Sequence, residues 1–141
     1  LFHPGGALGK RLLLRVEDMM HTGGDITMVS LSTQVKEALF EITNKKLGIT
    51  GVCAEDGCLA GVFTDGDLRR ALGKGFDVLD RPIGEVMTPN PKRILRSNLA
   101  AKALQKMEEH SITSLFVFDS ESSLEPVGIV HLHDLLKAGV V

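Results

Sequence analysis

The chain has 141 residues, 43% apolar and 24% charged, with 16 Lys and Arg against 18 Asp and Glu and a formal net charge of −2. A chain of this length buries enough apolar surface to hold a core without disulfides, which excludes disorder. A dispersed, nearly balanced charge with no Trp, no Tyr and 6 Phe excludes a nucleic-acid binder working by phosphate neutralisation and base stacking.

Taken in order, residues 1–15 stand apart from the rest of the chain. A helical turn ends at Met20, and Ile26 to Val29 read as a leading strand. Val35, Ala38, Leu39 and Ile42 follow i, i+3, i+4, i+7 and predict an amphipathic helix capped by Ser32 or Thr33. Thr50 to Ala54 and Leu59 to Phe63 are strand-like, joined by the turn Glu55 to Cys58 with its Asp56-Gly57. A shorter helix runs from Asp65 to about Gly73, and Gly73-Lys74-Gly75 and Arg81-Pro82 mark a linker, 76–82. The same order then recurs. A turn ends at Met87-Thr88-Pro89, Arg93 to Leu95 form a strand, and Ala100, Ala103, Leu104 and Met107 predict a helix behind Ser97 or Asn98. Thr113 to Phe118 and Pro126 to Val130 are strands, and a last helix spans about Leu132 to Ala138. No apolar run approaches the roughly 20 residues that span a bilayer, and no signal segment opens the chain. The expectation is a cytoplasmic protein without a membrane role, with Cys53 and Cys58 reduced.

The two halves are copies. Gly61-Val62-Phe63-Thr64-Asp65-Gly66-Asp67-Leu68 reappears 67 positions later as Gly128-Ile129-Val130-His131-Leu132-His133-Asp134-Leu135. Val16-Glu17-Asp18-Met19-Met20 pairs with Ile83-Gly84-Glu85-Val86-Met87 at the same offset, and Ile49-Thr50-Gly51 is matched to Ile112-Thr113-Ser114 at an offset of 63. The expected fold is α/β (α+β), two β-α-β-β-α repeats related by a pseudo-two-fold axis. They are a first domain, 16–75, the linker 76–82, and a second domain, 83–141.

Two chemical readings of the strand-to-helix junction stand side by side. Thr64-x-x-Asp67 is a capping box, with Thr64 taking free helix amides and Asp67 favoured by the helix dipole. The same place suits a ligand, because helix amides and their positive field attract a phosphate while a neighbouring carboxylate accepts from a ribose diol. Arg69 and Arg70, just inside the helix, either meet phosphate charge or lie solvated. In the second copy His131 replaces Thr64 and Asp134 is retained, so the two junctions are not equivalent. His131 and His133 share a face on extended backbone, but a third or fourth ligand at clear spacing is missing, so no metal is expected. An imidazole against a base or an anionic sugar is the better reading. His110 closes a helix and His21 lies in a loop.

Two units closing on Gly-apolar-apolar-x-x-x-Asp-Leu resemble a tandem cystathionine-β-synthase (CBS) domain pair, or Bateman module, over about residues 16–141. The opening Leu1-Phe2-His3-Pro4-Gly5-Gly6-Ala7-Leu8-Gly9-Lys10-Arg11-Leu12-Leu13 resembles the last segment of the sugar isomerase (SIS) domain of D-arabinose 5-phosphate isomerases. In that family this segment runs into a CBS pair ending in His-Asp-Leu-Leu and a tail of small residues, here His133-Asp134-Leu135-Leu136-Lys137-Ala138-Gly139-Val140-Val141. The resemblance implies the regulatory part of an enzyme converting D-ribulose 5-phosphate to D-arabinose 5-phosphate for Kdo, and so for lipopolysaccharide or capsule. Residues 1–15 would then be a remnant of the SIS domain. It further implies that Thr64 and Asp67 contact the ribose and phosphate of a nucleotide, with the base near Thr50, Gly51 and Val52. Arg69 and Arg70 join that set, and Thr113, His131, His133 and Asp134 are the candidates in the second unit. His3 belongs, by resemblance, to the isomerase active site; without its partners it cannot share proton transfer, so the 141-residue chain is expected to be inactive. No cofactor is required, and the regulatory ligand is CMP-Kdo or an adenine nucleotide. Self-association as a CBS dimer within a homo-oligomer, a tetramer in the full enzyme, also follows from the resemblance. The alternative is a ligand-free module that assembles the oligomer.

Overall fold

The structure, a computed structural model, describes residues 7–45 and 47–140; His3 lies outside them. The chain forms two compact units. One is continuous, Gly24–Pro91; the other is split, joining Leu1–Gly23 to Lys92–Val141. No helix among the described residues is long and apolar enough to cross a membrane.

In the continuous unit β1 (Met28–Ser30) leads to α2 (Val35–Lys45), then β2 (Ile49–Cys53), β3 (Leu59–Thr64) and α3 (Asp65–Leu72), with β4 (Thr88–Pro89) closing the sheet; α1 (Ala7–Leu13) precedes them in the chain. The strand order is β1-β2-β3-β4, with β1 parallel to β2 and the other pairs antiparallel. Val35, Ala38 and Ile42 of α2 turn their stripe onto Val52 and Phe63 of the sheet, the arrangement their spacing predicts. Residues 76–80 are no slack connection: Phe76–Asp80 is a 3-10 helix whose Val78 is buried in the same core.

The split unit repeats the plan with β5 (Arg93–Leu95), α4 (Ala100–His110), β6 (Ser114–Phe118), β7 (Gly128–His131) and α5 (Leu132–Lys137). Its sheet order is β5-β6-β7, and an antiparallel bridge from His21 to Ile129 stands where Thr88 pairs with Val62 in the continuous unit. Its core gathers Ala100, Ala103 and Met107 of α4 against Leu115, Val117 and Val130, with Arg93 stacked 3.6 Å over the Phe118 ring.

Each core is completed by a residue from the opening segment of the other sequence repeat. Val16, which opens the first copy, is fully buried among residues of the second; Ile83, which opens the second, is fully buried among residues of the first. The backbone bonds match residue for residue. Val16 N–H donates to the Asn98 carbonyl and Glu17 N–H to that of Arg96, while Ile83 N–H donates to the Thr33 carbonyl and Gly84 N–H to that of Leu31. The same segments cap the long helices. Ala100 N–H donates to the Leu14 carbonyl at 2.8 Å and Val35 N–H to the Arg81 carbonyl at 3.0 Å, satisfying first-turn amides that have no partner within the helix.

That replaces the caps expected from local sequence. Leu99 precedes α4 with no side-chain cap bond, and Asn98 instead accepts from the Leu95 amide at 2.9 Å. Thr33 shares a hydrogen bond with Ser30, 3.0 Å away. The β-hairpins correct the repeat alignment as well. Ile49 lies opposite Thr64, and Ser114 lies opposite His131, so Ile49 corresponds to Ser114 and Thr50 to Leu115. The two matched Ile-Thr pairs are thus two residues out of register, and the extra length of the second copy sits in its hairpin loop.

Candidate ligand-binding junctions

At the end of β3 the chain turns into α3 through a complete capping box. Thr64 N–H donates to Asp67 Oδ2 at 2.9 Å, and Asp67 N–H donates to Thr64 Oγ1 at 3.2 Å. The other carboxylate oxygen, Oδ1, accepts from Arg70 at 2.6 Å and from the Thr88 hydroxyl at 3.1 Å. The Thr64 hydroxyl also donates to Oδ2 at 3.1 Å, and Asp67 is 10% exposed while the Arg70 side chain is 72% exposed, so a nearly buried carboxylate takes four donors and its cationic partner lies in solvent. Thr88 arrives because Gly61 on β3 lets β4 lie close: a Cβ at Gly61 would stand 2.7 Å from the Thr88 carbonyl and 2.5 Å from Met87 Sδ. Beside the box a cleft of about 480 Å³ runs along α3 and the 3-10 helix, with Arg70, Lys74 and Arg81 on its rim and Val78, Val86 and Met87 beneath.

The split unit builds the same junction from imidazoles. His131 N–H donates to Asp134 Oδ2 at 2.8 Å, and His131 Nδ1 accepts from the His133 amide at 3.0 Å. His21 Nε2 lies 2.9 Å from Asp134 Oδ1, 67 positions before Thr88 and in the same role. An ionised carboxylate only accepts, so His21 carries its proton on Nε2. The His131 and His133 rings stack with centroids 4.6 Å apart. Burial, aided by the neighbouring His133, pushes the His131 ring below the ordinary histidine range, with Asp134 pulling the other way and His21 adding a little to the lowering. Gly128 repeats the role of Gly61, since a Cβ there would stand 2.9 Å from the His21 carbonyl.

Thr64, Asp67 and Arg70 thus come together, as do His131, His133 and Asp134. The remaining candidates do not join them through side chains. Arg69 is exposed on α3. Thr50, Gly51 and Val52 are buried mid-strand; Thr50 bonds the Gly51 carbonyl at 3.1 Å, and Val52 belongs to the core. Thr113 is exposed ahead of β6, where its carbonyl accepts from Leu132 N–H at 2.8 Å. Among the described residues no group of three His, Cys, Asp or Glu is placed to hold a metal ion. Two partners escaped sequence reasoning. Thr88 and His21 sit far from their aspartates in sequence, and the one available signal was their shared position after a matched methionine. Thr27, which the sequence reading also passed over, is buried, its carbonyl accepts from Gly51 N–H at 2.9 Å, and its hydroxyl has no partner.

Both copies match the CBS domain family, at residues 16–74 and 83–141. The chain belongs to the CBS domain family. This CBS pair is 52% identical to arabinose 5-phosphate isomerase KdsD of Pseudomonas aeruginosa over 139 residues, 99% of this chain and 42% of that protein. It therefore spans about two fifths of that relative's length. The CBS-domain protein ATU1752 of Agrobacterium tumefaciens matches its fold with a TM-score of 0.80 at 23% identity, covering 99% of this chain and 98% of that one. CBSX2, solved in complex with AMP, matches with a TM-score of 0.74 at 25% identity, covering 90% and 96%. The segment that opens each CBS repeat in sequence is the one that enters the other repeat's core in space.

Proposed function

We propose that this CBS pair is the regulatory ligand-binding part of an isomerase that converts D-ribulose 5-phosphate to D-arabinose 5-phosphate, and that it senses a nucleotide-type ligand, CMP-Kdo or an adenine nucleotide. The observation that carries the reading is the Asp67 carboxylate. It is held nearly buried at the start of α3, next to a solvent-exposed Arg70 and a cleft lined by Lys74 and by Arg81, which is paired with Glu85, with Asp77 beside them. A ribose hydroxyl replacing Thr88 on Oδ1 and a phosphate drawing Arg70 away would each exchange one hydrogen bond for another, so the ligand enters at small cost. The likeness to CBSX2, solved with AMP, and to KdsD supports the ligand class and the parent enzyme. Thr27, whose carbonyl bonds the Gly51 amide and whose buried hydroxyl has no hydrogen-bond partner, adds a polar residue next to the strand assigned to the base. To regulate, the ligand must favour one conformational state over another.

Calorimetric titration with CMP-Kdo, AMP and ATP in parallel tests this. Saturable binding of one of them, abolished by Asp67→Ala or Asp134→Ala, supports the reading, and silence from all three overturns it. A second reading, a ligand-free assembly module, is favoured by Phe40 and Phe76, which are 73% and 77% exposed on the continuous unit. It requires that self-association survive both aspartate substitutions while no ligand response exists.

A further inference from the structure

His131 caps α5 with a nitrogen that can also take a proton. The His133 amide donates to Nδ1, so that nitrogen presents its lone pair and the ring hydrogen sits on Nε2. Protonation of the ring adds its proton to the same Nδ1 lone pair, and the charged ring and the cap exclude one another. The groups around the ring are known from each side. From α5 come His133, stacked on it, and Asp134, whose Oδ2 accepts from the His131 amide. From the segment before Gly23 comes His21, bonded to Asp134 Oδ1. From β6 comes Ser114, opposite His131 in register and not titratable. At the matching places in the continuous unit stand Thr64, Gly66 and Thr88, none of which takes a proton.

We propose that His131 is a proton-released latch: acidification charges its ring, detaches the His133 amide and loosens the start of α5, while the hydroxyl-capped start of α3 stays closed. The direction follows from the geometry and from the depressed affinity of the buried ring for a proton. An unfolded chain binds that proton first as pH falls, so the latch contributes in full above about pH 7.5 and is lost progressively below about pH 6.5. The device makes one junction sensitive to pH within the range where histidine alone among unperturbed side chains changes charge.

Amide-resolved NMR of the whole 141-residue chain from about pH 8 to about pH 5 is the test. The His133 amide is expected to shift through a single midpoint on the acid side of the ordinary histidine range, and its protection against exchange, taken relative to the intrinsic rate at each pH, is expected to fall about fivefold to tenfold at the acid end, as loss of a helix cap implies. The Asp67 amide, bonded to Thr64, should hold still. In His131→Thr, and in His131→Asn as a second non-titrating cap, the His133 amide should become insensitive to pH while the amides of the continuous unit report an intact fold. In His133→Ala the amide of residue 133 should still titrate with His131. A static His133 amide in the natural chain overturns the proposal. So does a titration that persists in both His131 variants, or one that vanishes in His133→Ala.

Discussion

At the Thr64 junction a hydroxyl caps the helix, and the aspartate is held by Thr88 and Arg70. At the His131 junction a ring nitrogen does the capping and a second imidazole, His21, holds the aspartate. The backbone is the same in both, down to the glycine that admits the incoming strand and the carbonyl that caps the long helix. Two copies of one scaffold have therefore been fitted with chemistry that responds to different things. A hydroxyl cap takes no proton across the physiological range, whereas the His131 ring nitrogen that caps α5 can take one as pH falls. The scaffold is common because its requirements are steric, and the side chains diverge because several donors satisfy the same aspartate.

The comparison is broken most sharply at the exchanged core residues. Ile83→Ala is expected to cost about 3 kcal/mol and Val16→Ala about 2 kcal/mol, as for other large-to-small core changes, read from urea denaturation. Hydrogen exchange locates the damage: Ile83→Ala should loosen β2 and β3, and Val16→Ala should loosen β6 and β7. The reverse pattern would mean that each repeat packs with its own opening segment. Next in size, Gly61→Ala and Gly128→Ala should each cost about 1–3 kcal/mol through overpacking against Met87 and Met20 and the carbonyls beside them. A loss at one glycine only would end the equivalence of the two closures.

Asp67→Ala should cost about 2 kcal/mol and Asp134→Ala about 1 kcal/mol, because the first carboxylate answers more donors than the second. Equal losses would show that Arg70 and the Thr64 hydroxyl, the donors with no counterpart on Asp134, add nothing. The smallest effect belongs to Arg81→Ala. Its ion pair with Glu85 is half exposed on both sides, and the Arg81 carbonyl that caps α2 survives the change. The urea midpoint should not move, and a measurable drop would assign the guanidinium a structural part.

Much of this was legible in the residues. The α2 stripe Val35, Ala38 and Ile42 and its α4 counterpart Ala100, Ala103 and Met107 face their cores as spaced. The Thr64-x-x-Asp67 box forms as written, and the strands begin and end within two residues of the positions their patterning marks. Ser32, Thr33, Ser97 and Asn98 stand one or two residues too early to cap, since Gln34 and Leu99 directly precede the helices that start at Val35 and Ala100. Thr113 was matched to Thr50 by identity, yet register in a hairpin follows its hydrogen bonds, and these align Thr50 with Leu115. His21 read as a loop residue because nothing near it in the chain names Asp134.

Local patterning specified two copies of a β-α-β-β-α unit, their amphipathic helices and the capping box that starts α3, since all of these rest on neighbours within a few residues. Folding in three dimensions assigned Val16, His21, Ile83 and Thr88 to their places. Each satisfies a core or a carboxylate built by distant parts of the chain, 21 positions away for Thr88 and 113 for His21, and such partners are chosen by burial and hydrogen-bond geometry, to which sequence proximity is blind.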